Sequence, residues 1–255
     1  MFSYDDAIQS KYYFDRIRIK KSLWFDWHYN ILESVLKNTY VIQQLQQIVK
    51  VPEPLRVLDL GCGNGHICRS ASKTIRGSFV GFDTNISIYM RAVNFRYLLS
   101  NLRYGQYSPI RYYKLDHLQF FSKYSGKKFD AIIDNCSVTH FDTRPKAGVN
   151  FGWEFIAETL PNFLVKEGIF ICATDVGTNL ISSNEFCIEN SIKTLFINKG
   201  WTLSNEDYIE KSIQSDSPLL EMFGKHLQEP FLRLPPPSTL TNGLLGITGF
   251  TAQIF

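Results

Sequence analysis

The chain has 255 residues, 44% of them hydrophobic and 20% charged, a globular composition that excludes disordered and fibrous classes and leaves enough apolar chain for one sizeable core. The net charge is only +3 and mixed in sign, which argues against the large phosphate footprint of a nucleic-acid binder. Five cysteines without a Cys-x-x-C spacing read as buried free thiols in a reducing compartment and argue against a zinc site. Asp5, Asp6 and Lys11 stand where a signal peptide would carry its apolar core. No apolar run approaches the roughly 20 residues of a membrane span, so no membrane partner and a cytoplasmic location are expected. Arg16, Arg18, Lys20 and Lys21 form a compact basic cluster, read as a solvated helix face, with an acidic substrate or nucleic acid as the alternative.

Residues 21–50 read as one or two helices, with Trp27, Ile31, Val35 and then Leu45, Ile48 and Val49 at helical spacing. Pro52 and Pro54 mark a boundary, which divides a helical cap over 1–54 from a main domain over 55–255. Val57, Leu58 and Leu60 predict a strand that holds Asp59 and runs into Gly61, Gly63 and Gly65. A helix follows through Ile67, Ala71 and Ile75, closed by Gly77. Ser78–Phe82 is the second strand, ending at Asp83, and Thr84 and Asn85 are N-cap candidates for a helix through Ile88, Ala92, Phe95 and Leu99. Ile110–Leu115 is the third strand, ending at Asp116, and Phe129–Ile133 the fourth, followed by Asp134 and Asn135. Trp153–Leu164 reads as a helix that Pro161 kinks or ends early. Gly168–Thr174 is the fifth strand, 184–199 a helix, Trp201 the start of another strand, and Gly249–Phe255 the last strand. Alternation of strands and helices predicts an α/β fold with a doubly wound, mainly parallel sheet. Residues 212–245, with Pro230 and Pro235–Pro237, form an insertion before the last strand, of a length typical of substrate loops.

The strand–glycine loop–helix unit around Gly61 is the most informative feature, because glycines let backbone N–H groups approach a ligand closely. A dinucleotide fingerprint requires a small residue where His66 stands, and a P-loop requires a Lys that follows neither Gly63 nor Gly65. The spacing Asp-x-Gly-x-Gly-x-Gly from Asp59 to Gly65 resembles motif I of the class I S-adenosylmethionine-dependent methyltransferases. The resemblance covers roughly 55–205 and the last strand, and implies a seven-stranded Rossmann-like sheet whose last strand is antiparallel, with S-adenosyl-L-methionine as cofactor.

Carried onto this chain, the resemblance assigns Asp83 to the two ribose hydroxyls, a helix N-cap being the plain alternative. It assigns Asp116 to the adenine amino group and the backbone of His117 to the adenine ring. Phe82 or Ile86 can pack on the adenine faces, or belong to the core. Asp59, Gly61, Cys62 and Gly63 then meet the methionine end, Thr84 flanks Asp83, and Asn135 and Cys136 lie near the sulfonium. The segment from Asp134 to Asp142 is where a general base for an oxygen or nitrogen acceptor belongs. His140 is the first candidate, with an ordinary pKa near 6.5, and Asp134 and Asp142 follow. Asp134-Asn135-Cys136-Ser137 departs from the Pro-Pro-containing motif of enzymes that methylate adenine or glutamine nitrogens. Metal-dependent catechol-type enzymes carry an Asp after strand four, which Asp134 matches, and an Asp-Asn after strand five, which Asp175-Val176 breaks, so a divalent metal stays as an alternative.

The resulting expectation is methyl transfer without a metal to a hydroxyl of a small molecule or sugar. Trp24, Phe25, Trp27 and Tyr29 and the proline-rich insertion would cover the acceptor, and the same N-terminal helices can pair two chains in a homodimer. The alternatives are a non-catalytic methyltransferase-like subunit serving a protein partner, a nicotinamide oxidoreductase, which His66 opposes, and an RNA methyltransferase.

Overall fold

The computed structural model describes residues 37, 40–48, 54–63, 65–84, 86, 109–142, 144–146, 149–177, 189–210 and 245–254. The basic cluster, the aromatic segment at 24–29, the helix expected through Ile88–Leu99 and almost all of the 212–245 insertion lie outside the described residues.

Helix α1 spans 40–48 and buries Tyr40, Val41 and Leu45. It is followed by β1 (Leu55–Leu60), α2 (His66–Thr74), β2 (Gly77–Asp83), β3 (Ile110–Lys114), α3 (His117–Lys123) and β4 (Phe129–Asn135). A short antiparallel ribbon, β5 (Pro145–Lys146) with β6 (Val149–Asn150), precedes α4 (Phe151–Thr159). The chain ends with β7 (Leu164–Gly177), α5 (Glu189–Asn198), β8 (Thr202–Glu210) and β9 (Leu245–Gln253). The main sheet has seven strands in the order β3-β2-β1-β4-β7-β9-β8. β3, β2, β1, β4 and β7 run parallel, and β9 is antiparallel to both β7 and β8. This is the expected doubly wound α/β sheet with an antiparallel last strand.

Alternation along β1 sends Val57 to one face and Leu58 and Leu60 to the other. Val57 joins Ile67, Cys68, Ala71 and Phe79 under α1 and α2. Leu58 and Leu60 join Phe82, Ile132, Phe170, Trp153, Phe196 and Phe250 under α3, α4 and α5. In that second core Phe170 stacks on Phe196 at 5.4 Å, and Trp201 donates its indole N–H to the Ala157 carbonyl at 2.9 Å. Covering both faces is what makes the parallel strands read as nearly continuous apolar runs.

Four local expectations are corrected. Gly77 does not close α2, which stops at Thr74 with Ile75 extended after it, and Gly77 instead opens β2, where a Cβ would meet the Leu55 carbonyl oxygen at 2.3 Å. The fourth strand continues through Asp134 and Asn135 rather than ending before them. The α4 helix starts at Phe151 and ends at Thr159, and Pro161 falls in the 3₁₀ turn Leu160–Asn162 that follows. Helix α3 went unanticipated because seven residues give too few turns for a clear period.

Candidate functional site

The carboxyl ends of β1, β2, β3 and β4 meet at one edge, where ligands of open α/β sheets bind. At the end of β1 the chain enters left-handed backbone at Gly61, Gly63 and Gly65, with φ of 53°, 51° and 67°. Two of these positions show different demands. A Cβ at Gly65 would lie 2.2 Å from the Tyr112 hydroxyl, which donates to the Gly65 carbonyl at 3.1 Å. Among the described residues, a Cβ at Gly63 would meet nothing within 4 Å. Gly65 is therefore a packing glycine, and Gly63 faces open space.

The Gly63 N–H donates to Asp83 Oδ2 at 2.9 Å, and the Cys62 N–H donates to the Phe82 carbonyl at 2.9 Å. The loop is thus tied to the end of β2, and the half-exposed Asp83 carboxylate stands beside the open side of Gly63. An open glycine next to an accessible carboxylate fits an adenosyl ligand with a ribose diol. Thr84 follows, exposed.

Asp59 points to the α2 side of the sheet, as its parity with Val57 requires, and is 2% exposed. The Cys68 thiol donates to its Oδ2 at 3.5 Å. Burial pushes its carboxyl up to about 7, and the neighbouring Asp134 and Asp83 charges add to that rise. Cys62 is also buried, with its thiol pushed up by burial and by Asp59.

Asp134 lies on the opposite face and has no exposure. Its Oδ1 accepts from the Ser137 N–H at 2.8 Å, the Ser137 hydroxyl at 2.6 Å and the Val138 N–H at 3.1 Å. Ser137 Oγ also lies 2.5 Å from the Leu60 carbonyl, and a Cβ on Gly61 would come within 2.5 Å of Ser137 Cβ. These contacts fasten the turn after β4 to the start of the glycine loop. Burial pushes the Asp134 carboxyl up, against the lowering effect of those hydrogen bonds. Enclosed by donors of its own loop, the Asp134 carboxylate holds that loop in place.

Between Asp134 and Ser137, Asn135 and Cys136 are half-buried, and Cys136 adopts φ 60°, rare for a residue with a side chain. The turn then forms a 3₁₀ helix, Val138–His140, that exposes His140. Asn150 caps α4 by accepting from the Trp153 N–H at 3.3 Å, and its amide donates to the Thr139 carbonyl at 2.7 Å, so α4 holds the turn from behind. Asp142 accepts two bonds from Arg144 Nε and one, at 2.6 Å, from Nη2, and the guanidinium holds its carboxyl down at about 2. The guanidinium carbon also lies 4.9 Å from the Phe151 ring centroid. A carboxylate engaged in this way is a poor proton acceptor, which leaves His140 as the exposed base candidate of the segment.

Asp116 caps α3, its Oδ1 accepting from the Gln119 N–H at 2.7 Å. The His117 ring stacks on Phe141 at 4.6 Å and meets Phe155 edge-on at 5.3 Å. Burial lowers its pKa, opposed by Asp116 and Asp142. Phe82 is 1% exposed and stacks on Phe120 at 4.5 Å, so it is core rather than an adenine wall, and Ile86 is buried as well. Sequence reasoning missed Ser137, Tyr112 and Asn150 as organisers of the site. Only Asn150 left a signal, as an N-cap residue directly before the helix.

A family model described as a methyltransferase domain matches residues 53–208. A sequence search of curated proteins finds no match. Among solved structures, a SAM-dependent methyltransferase from Thiobacillus denitrificans, crystallised with S-adenosyl-L-homocysteine, is 16% identical, with a TM-score of 0.52 over 84% of this chain and 90% of that one. The cyclopropane synthase MmaA2 from Mycobacterium tuberculosis is 13% identical, with a TM-score of 0.57 over 98% of this chain and 97% of that one. A protein described as StiE O-MT is 13% identical, with a TM-score of 0.57 over 94% of this chain and 80% of that one. At such identities the likeness to the solved structures is one of fold. The family match spans more than half the chain and contains the whole glycine loop together with Asp59, Asp83, Asp116 and the turn after β4. The chain belongs to the methyltransferase domain family.

Proposed function

We propose that the enzyme methylates a hydroxyl of a small molecule or sugar, without a metal and with His140 as the acceptor's base. The observation that carries this reading is the exposed His140 on a turn fastened to both the glycine loop and α4. Bound S-adenosylmethionine supplies a methyl group activated by positive sulfur, which is the difficult part of the chemistry. The chain supplies alignment, which is worth roughly 7–11 kcal/mol in well-oriented reactions.

In this reading Asp83 and Thr84 hold the ribose, Asp116 and the His117 backbone the adenine, and Asp59, Gly61, Cys62 and Gly63 the methionine end. Asn135 and Cys136 border the sulfonium. His140 takes the hydroxyl proton as the acceptor attacks. Among the described residues no three His, Cys, Asp or Glu side chains converge as metal ligands. Glu210 at the end of β8 pairs with Gly246, and Leu245 at the start of β9 pairs with Gly177 at the carboxyl end of β7. Both ends of the 212–245 insertion therefore emerge at the cofactor edge, which supports its role as an acceptor cover together with 1–54. The reading also includes a cytoplasmic location and a homodimer formed through the N-terminal helices. Among the described residues no helix is long and apolar enough to cross a membrane.

Calorimetric titration of S-adenosylmethionine, S-adenosylhomocysteine and NAD into the wild type and Asp83→Ala tests the cofactor assignments. Both adenosyl ligands should bind the wild type and lose at least tenfold in the variant, while NAD does not bind. Transfer of a labelled methyl group to a panel of hydroxyl-bearing metabolites and sugars tests the acceptor. Label on RNA or a nitrogen atom would overturn the hydroxyl reading, and well-folded protein without adenosyl binding would overturn the cofactor roles.

A further inference from the structure

A cavity of about 730 Å³ lies outside the site just described. Its walls come from the first residues of β2 (Ser78, Val80), from β3 (Arg111, Tyr113) and from the last turn of α3 and the chain beyond it (Lys123, Tyr124). Helix α3 begins at Asp116 on the cofactor edge and runs back toward the amino ends of the strands. Its carboxyl end therefore borders the opposite edge of the sheet, and the cavity uses neither the glycine loop nor the turn after β4.

The size is that of a pocket for a single organic molecule, and the composition follows the usual pattern of apolar walls with a few polar groups. Phe120 and Tyr124 stack at 5.1 Å, and Tyr113 meets Phe120 edge-on at 5.8 Å, which forms a rigid aromatic wall. Arg111 Nη1 donates to the Tyr113 hydroxyl at 3.4 Å, holding a guanidinium over that wall. Lys123 is exposed at the rim, and exposed Lys127 and Lys128 follow the lining segment directly. None of the described lining residues is acidic. The nearby Asp130 carboxylate is held by Arg56, through its N–H at 2.7 Å and its Nε at 3.5 Å.

An apolar pocket with cations at its mouth and no acid among its described lining residues discriminates by charge: it accepts a flat apolar body that carries a negative group and rejects a cationic one. We infer that this cavity is a second ligand site, separate from the cofactor site, for a small aromatic anion. The ring lies against Tyr113 and Phe120, and the anionic group meets Arg111 and Lys123. The site is independent of the acceptor assignment.

The probes are 8-anilinonaphthalene-1-sulfonate and its uncharged analogue N-phenyl-1-naphthylamine, titrated by fluorescence into the full chain. The sulfonate should bind with one-to-one stoichiometry and at least tenfold more tightly than the neutral probe. Arg111→Gln with Lys123→Gln should weaken the sulfonate about tenfold, and Ser78→Phe, which fills the cavity, should abolish its binding. S-adenosylhomocysteine affinity should not change in either variant, which also shows that both fold. Equal affinity for the two probes would overturn the inference. So would multiple weak sites, or sulfonate binding insensitive to both variants.

Discussion

Asp59→Asn should flatten the pH dependence of stability between about pH 4 and pH 7. The wild-type carboxyl is 2% exposed, its hydrogen bond comes from a thiol, and burial raises it from 3.8 to about 7. Below pH 3.8 both folded and unfolded chains carry the proton, and the group costs nothing. Between 3.8 and about 7 the unfolded chain releases the proton and the folded chain retains it, so stability falls as pH rises. Above about 7 the full cost is present and constant. At about 1.36 kcal/mol per pH unit, the displacement amounts to about 4 kcal/mol across the window. Asparagine has nearly the same shape and does not titrate, so the variant should lack that share of the slope. Asp134 is raised too, chiefly by its own burial, so most of its share is common to both proteins, and the part coupled to Asp59 is removed together with Asp59. The assay is urea unfolding at half-unit steps from pH 4 to pH 8, comparing slopes rather than absolute values. The same ionisation should make S-adenosylmethionine bind more tightly as pH rises toward 7, because the ligand's positive sulfur and ammonium favour the charged carboxylate. Parallel slopes for wild type and Asp59→Asn would refute the reasoning, since Asp59 would then hold the same charge in both states.

The glycine loop gives a paired test, because Gly63 and Gly65 share a left-handed backbone but differ in surroundings. Gly63→Ala should cost about 1–2 kcal/mol from backbone strain alone, whereas Gly65→Ala should cost roughly 1–3 kcal/mol more because Tyr112 must move. Equal unfolding midpoints would show that the Tyr112 contact is soft. Asn150→Ala removes both a helix cap and a buried donor to the Thr139 carbonyl, and should lower unfolding stability by about 2–3 kcal/mol. A loss below about 1 kcal/mol would mean that water replaces both bonds. His140→Gln should lower kcat roughly 100-fold or more while leaving S-adenosylhomocysteine affinity unchanged. An unchanged kcat would assign the base elsewhere.

The fold was legible because parallel strands covered on both faces leave compact apolar runs, each ending in an acidic residue: Asp59 within β1, Asp83 at the end of β2, Asp116 after β3 and Asp134 in β4. Glycine spacing placed the loop between β1 and α2 without any tertiary information, since left-handed backbone at Gly61, Gly63 and Gly65 is a local demand. The features that escaped were those set by distant partners. Tyr112 reads as one more strand aromatic, and only the register of β3 beside β2 brings its hydroxyl to the Gly65 carbonyl. Ser137 reads as a loop serine, yet it bridges Leu60 and Asp134 across two adjacent strands.

The two buried carboxylates show why residue type at a strand end does not decide function. Asp59 and Asp134 belong to neighbouring parallel strands, with Leu60 opposite Asp134 in the register. Strand parity sends Asp59 toward α2, where the Cys68 thiol donates to it and the Asp83 charge acts on it. The same alternation sends Asp134 into the opposite core, where three donors of its own loop enclose one oxygen and the Cys172 thiol lies 3.9 Å from the other. Shifting the β4 register by a single residue would exchange the two cores that its side chains enter. What distinguishes the two acids is therefore the pairing of β1 with β4, a long-range property that neither local sequence contains. Asp134 holds the turn that exposes His140, while Asp59, raised to about 7 by burial, stands on the α2 side of the sheet.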